Sequence, residues 1–134
     1  MSVYMGRNSC YARKEGIYVR RIRGKGIDTA KEAVAILKLI LRDLRRGRTY
    51  EQSTCREIKM TRELFIQRVD YVPVLAKRHG AGKETLDAIR RLTEYVKKHG
   101  KLPKKLRVGG HVVQVKHLLR GAYVHHRNRA KARR

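Results

Sequence analysis

The stretch DTAKEAVAILKLILRDLRRG, residues 28–47, decides how the rest of the chain is read. Its apolar positions Ala30, Ala33, Val34, Leu37, Ile40, Leu41 and Leu44 recur with the helical period. Thr29 followed by Glu32 fits the S/T-x-x-E capping box, which satisfies two of the amides that a helix start leaves open. Gly47 supplies a stop. Arg42, Arg45 and Arg46 crowd the last turns, where cations complement the helix dipole.

Working outward, Thr54 with Glu57 suggests a second cap. It would open a helix through Ile58, Phe65 and Val69 that Pro73 ends or kinks, with a short continuation to Gly80. A third helix is predicted over residues 83–98, with Leu86, Ile89, Leu92 and Val96 inward and Gly100 at its stop. Between them, GAGKET (residues 80–85) superficially evokes a phosphate-binding loop. Lys77 stands where the first glycine belongs and Glu84 where Ser or Thr belongs, so a helix–helix turn is expected.

LRVGGHVVQV, residues 106–115, has two readings. It can form a hairpin turning on Gly109–Gly110. Alternatively, Val112, Val115, Leu119 and Ala122 line one face of a fourth helix over residues 110–128, and this reading is preferred. The expected fold class is therefore all-α: a small bundle of about four helices with an extended basic N-terminal arm and a basic C-terminal tail. The expected divisions are a nucleic-acid-binding arm over 1–27, a helical domain over 28–128 and a tail over 129–134.

Charge dominates the composition. The 134 residues carry 35 Lys and Arg against 11 Asp and Glu, a formal +24, with no Trp and one Phe. Self-repulsion of that size disfavours an isolated compact state, and a polyanion relieves it. Nucleic acid is the first candidate and an anionic membrane surface the second. Residues 1–27 carry seven basic groups and one acid, net +6; residues 28–100 carry 17 and ten, net +7; residues 101–134 carry 11 and none, net +11. The ends are cationic arms and the middle is an ordinary domain.

The arm spaces Tyr4, Tyr11 and Tyr18 seven residues apart among several glycines, which suits a strap lying on a polynucleotide. The expected phosphate contacts are Arg7, Arg13, Lys14, Arg20, Arg21, Arg23 and Lys25 in the arm, Arg42, Arg45, Arg46 and Arg48 at the first helix end, and Arg127 and Arg129 near the C-terminus.

Other chemistries find little footing. The six histidines show no metal-ligand spacing, so no metal and no cofactor is expected. The acids stand singly beside bases, as in Lys83–Asp87 and Arg90–Glu94, and read as surface pairs rather than catalytic groups, so no enzyme is expected. Cys10 and Cys55 form no CxxC pair and read as ordinary thiols, a disulfide between them being the lesser alternative. No signal-peptide core is seen, and no apolar run approaches the roughly 18 residues of a membrane span. Amides are scarce, two Asn and three Gln, a weak sign of a hot habitat.

A compact chain of this length spans roughly 40 Å. That length of duplex holds roughly 24 phosphates, close to the formal charge of +24. A site-reading regulator needs about 6–10 phosphate contacts and amides for base edges. Coating or deep embedding in a nucleoprotein is therefore preferred over site reading.

The layout of basic arm, helices over residues 28–98 and basic terminal segment resembles the major coat proteins of filamentous viruses of hyperthermophilic archaea, the tristromavirus and lipothrixvirus groups. The resemblance implies a virion protein, present in the host cytoplasm during assembly, that wraps linear double-stranded DNA in A-form. It implies pairing with itself or a paralogous coat subunit in a helical filament. In one respect the chain departs from the pattern: its C-terminal end is more basic than the arm, so it too must face DNA or a neighbour's acids. An archaeal ribosomal, RNA-bound protein is the alternative, since LRVGGHVVQV is also similar to the strand–turn–strand of small RNA-binding domains. A chromatin-type DNA-binding protein comes third, with only the turn at Gly80–Gly82 to suggest a helix-turn-helix.

Overall fold

The computed structural model describes residues 27–51 and 53–118. The expected arm, apart from Ile27, and the expected tail lie outside these residues. The element order is α1 (Ile27–Arg46), β1 (Arg48–Tyr50), β2 (Glu57–Lys59), α2 (Arg62–Arg78), α3 (Lys83–His99), β3 (Lys105–Val108) and β4 (His111–Gln114). Residues 115–118 are again helical.

α1 is the centre of the body. Besides the expected stripe of Ala30, Ala33, Val34, Leu37, Ile40 and Leu41, it buries Ala35, Ile36 and Leu39, so little of its circumference meets water. A helix apolar on most sides belongs in a core. Even its acids Glu32 and Asp43 are buried. The helix begins before Thr29, which is itself buried inside the first turns, so Thr29 and Glu32 do not form the expected boundary.

α2 and α3 run antiparallel and close over α1, contributing Phe65, Val69, Val72 and Leu75 from one and Leu86, Ile89, Leu92 and Val96 from the other. Burying each such side chain is worth roughly 1.5–3 kcal/mol before entropy is counted. Thr61 caps α2, its hydroxyl accepting from the Leu64 N–H at 3.1 Å. Gly100 ends α3 in the left-handed conformation at φ 67°, as expected of a C-terminal glycine. The α2–α3 turn places Gly80 at φ 84°.

Two ties fix the antiparallel register. At the start of α2, Arg62 donates through Nη2 to the Lys97 carbonyl at 2.9 Å. Near the end of α3, Lys97 Nζ lies 2.7 Å from Asp70 and 2.8 Å from Glu94. The hydrogen bonds to Asp70 and then Glu94 raise the Lys97 pKa above its ordinary 10.5, against the opposing effect of burial. The expected pairs on α3 are re-partnered accordingly. Asp87 lies 3.8 Å from Arg90, and Glu94 pairs with Lys97.

Several expectations are overturned. The fold is mixed, not all-α: two antiparallel two-stranded sheets join the helices. Glu57 lies in β2, so Thr54 and Glu57 cap no helix. Instead, the Thr54 hydroxyl donates to the Glu51 carboxylate at 3.0 Å and accepts from the Arg56 N–H at 3.2 Å, closing a hairpin loop. Turn-forming side chains compete for the hydrogen bonds a cap would make. Of the two expectations for Pro73, ending the helix is excluded: Pro73 sits inside α2, which continues to Arg78, because the burial of Leu75 and Ala76 beyond it rewards continuing. Residues 105–114 form the hairpin, so the expected fourth helix does not begin at Gly110; residues 115–118 are helical, and the rest of its expected span, 119–128, lies outside the described residues. β3 and β4 pair with Leu106 opposite Val113 and Val108 opposite His111. Finally, Cys55 is disulfide-bonded and not a thiol. The chain's other cysteine, Cys10, lies outside the described residues.

Two outcomes follow from this architecture. In denaturant without reductant, Cys55 should resist iodoacetamide, and it should be labelled once reductant is added; labelling before reduction would show a thiol. Lys97→Met should lose stability that is fully present from about pH 6, where Asp70 and Glu94 are ionised, up to about pH 10, and that fades as pH rises through the raised lysine pKa. Chemical denaturation at stepped pH from neutrality upward should therefore show the gap between wild type and variant narrowing only in strong alkali.

Candidate nucleic-acid interface

The end of α1 and the first hairpin build one cationic platform. The last turn of α1 carries Arg45 and Arg46, both exposed. Gly47, at φ 74°, turns the chain into β1, and its carbonyl accepts from the Met60 N–H at 3.0 Å to close the base of the hairpin. In the register, Arg48 lies directly opposite Lys59 and Thr49 opposite Ile58. Arg48, Arg56 and Lys59 are exposed, and Thr49 points inward with 1% exposure.

Side chains point the way they do because of a buried polar chain beneath the strand. Thr49 Oγ1 donates to Asp43 Oδ2 at 2.7 Å and accepts from Arg68 Nη1. Arg68 Nη2 donates to the Tyr50 carbonyl at 2.8 Å. Asp43, Thr49 and Arg68 are 1%, 1% and 9% exposed. Burial of such groups is tolerated only when they are hydrogen-bonded, so β1 is held at one height between α1 and α2. The alternation of a strand then turns Arg48 and Tyr50 away from Thr49.

Like charges directly opposite across a strand pair repel, and Arg48 and Lys59 are such a pair. Glu57 reaches Arg48 only at 3.8 Å and Glu51 reaches Arg56 at 3.6 Å, both between well-exposed groups. Surface pairs of that kind contribute about 0–1 kcal/mol. Over residues 45–59 five cations thus outnumber two acids, an arrangement that suits an external anion.

Of the cations picked from sequence, Arg45, Arg46 and Arg48 meet on this platform. Arg42 does not: it is half-buried, with Nε and Nη2 shut away from solvent. Arg7, Arg13, Lys14, Arg20, Arg21, Arg23, Lys25, Arg127 and Arg129 lie outside the described residues. The sequence missed Arg56 and Lys59, which sat in a segment read as helix; the short alternation Glu57–Ile58–Lys59 was the available signal. It also missed Arg68, because nothing local marks a buried arginine.

Other cations serve the fold. Arg78 donates to the Tyr71 hydroxyl at 2.7 Å and lies over that ring, and Arg62 lies over Phe65. Among the described residues no group of three or more His, Cys, Asp and Glu side chains could hold a metal ion, and no helix is long and apolar enough to cross a membrane. No protein-family model, curated protein or solved structure matches the chain.

Thr49→Val keeps the side-chain shape and deletes both hydroxyl hydrogen bonds. It should cost about 1–3 kcal/mol, read as a lower denaturation midpoint. Amide exchange should rise first in residues 48–59.

Proposed function

We propose that this chain is a structural nucleic-acid-binding protein, embedded in a nucleoprotein through phosphate contacts, with folded RNA as the partner. The observation that carries this reading is the set of exposed cations at the end of α1 (Arg45, Arg46) and across the first hairpin (Arg48 opposite Lys59), whose strand β1 a buried network holds in place. Fixed cations of this kind position a protein on a sugar–phosphate backbone without reading its sequence.

The choice of RNA over a continuous DNA filament rests on how the apolar surface is used. α1 spends nearly all of its apolar residues inside the body. Among the described residues the exposed large hydrophobics are Val74 and Val112, at 44% and 54%. Subunits packed permanently into a shell present more apolar faces than this. A self-contained body with short cationic hairpins fits a site within a folded polynucleotide. The near match between the formal +24 and the phosphates along a body-length of duplex favours, as the second reading, the DNA-wrapping coat protein of a filamentous virus, self-paired or paired with a paralogous subunit.

Arg45→Ala, Arg46→Ala and Arg48→Ala together should flatten the log–log salt dependence of polynucleotide binding by about 2–3 units, near one per phosphate contact; an unchanged slope would remove the platform from the contact surface. Electron microscopy of the native particle separates the two readings. Regular filaments with nuclease-resistant DNA would establish the coat reading, and co-sedimentation with an RNA particle that high salt disrupts would establish the first.

A further inference from the structure

The β3–β4 hairpin is a second cationic surface, separate from the platform, and it packs on α3. Residues 101–118 contain Lys101, Lys104, Lys105, Arg107 and Lys116, all exposed, and no acid. The register sets Lys105 opposite Gln114 and Arg107 opposite Val112. Directly opposed residues share a face, so these four form the outer face, while Leu106 and Val113 turn inward toward the core.

The ribbon is fixed in place. Leu106, Val115 and Leu118 are buried, the Val115 N–H donates to the Lys104 carbonyl at 2.9 Å, and Arg91 Nη2 donates to the Arg107 carbonyl at 2.9 Å. At the tip, Gly109 adopts φ +62°, and Glu84 packs so closely that an added Cβ would come within 2.5 Å of its Oε2. The outer face is thus a rigid strip with two cations, one amide and a valine left 54% exposed among them.

We propose that this strip lies in the minor groove of an A-form RNA helix. The inference rests on the RNA reading above and deepens it. That groove is wide and shallow and displays 2′-hydroxyls between two phosphate rows. Two strands about 4.8 Å apart, with their side chains, fit across it. They do not fit the B-DNA minor groove, which is about 6 Å wide. Lys105 and Arg107 reach phosphates at the groove edge. Gln114, both donor and acceptor, meets 2′-hydroxyls, and Val112 rests on the ribose carbons between them.

The test uses the full chain with a 20-base-pair RNA duplex and the DNA duplex of the same sequence, titrated at several salt concentrations. Wild type should prefer the RNA. Lys105→Ala with Arg107→Ala should flatten the RNA salt slope by about two units, and Val112→Ala with Gln114→Ala should bring RNA binding toward the DNA level. Circular dichroism should show every variant folded; if the alanine pair misfolds, Lys105→Gln with Arg107→Gln replaces it with the same expectation. An unchanged slope in the cation pair, alongside a flattened slope in the Arg45, Arg46 and Arg48 variant, overturns the inference and leaves the proposed function standing. Equal binding of RNA and DNA by wild type overturns the groove assignment. Failure of wild type to bind either duplex overturns the proposed function and this inference with it.

Discussion

A single hydroxyl shared between a buried carboxylate and a buried guanidinium organises the part of this molecule that meets solvent. Thr49 stands between Asp43 on α1 and Arg68 on α2, and Arg68 also reaches the Tyr50 carbonyl. Each polar group is expensive to bury alone, and each is satisfied only when the helices and β1 are at the right height. The interaction therefore couples helix packing to hairpin position. Three short strand residues that could not hold a conformation alone become a fixed surface.

The chain divides its cations between two tasks. Arg62, Arg68 and Lys97 are tied to backbone or acids and hold α2 to its neighbours, and Arg78 is tied to Tyr71 within α2 itself. Arg45, Arg46, Arg48, Arg56 and Lys59 at one hairpin, and Lys105 and Arg107 at the other, stand exposed on strands and helix ends. Net charge alone does not make this distinction. Among the described residues, some of the positive charge is tied into the fold and some is displayed at the two hairpins.

The helical framework was legible from the order of residues, and the hairpins were not. Leu86, Ile89, Leu92 and Val96 are inward as their spacing requires, and Gly47 and Gly100 take the left-handed conformations expected of helix stops. Those signals are local, made by residues three or four apart. Thr54 and Glu57 matched a capping pattern equally well, yet the loop used Thr54 to grip Glu51. Residues 106–115 satisfied two periodicities at once, and the inward packing of Leu106 and Val113 decided for the hairpin up to Gln114, where helix resumes. Of the site, Arg45, Arg46 and Arg48 were visible as a charge run, whereas the placement of Lys59 opposite Arg48 was not.

By itself, the order of amino acids determined the three long helices among the described residues, the glycine stops of the first and third, much of their apolar faces, and that the whole is strongly cationic. Those properties follow from neighbours along the chain and from a count of charges. Tertiary structure alone decided that α1 would be central, that Pro73 would be carried through a helix, that Cys55 would be bonded, and which arginines would turn inward. The physical reason is distance in sequence. Arg68 finds Thr49 across 19 positions and Arg62 finds Lys97 across 35, and only packing of the core brings such partners within reach.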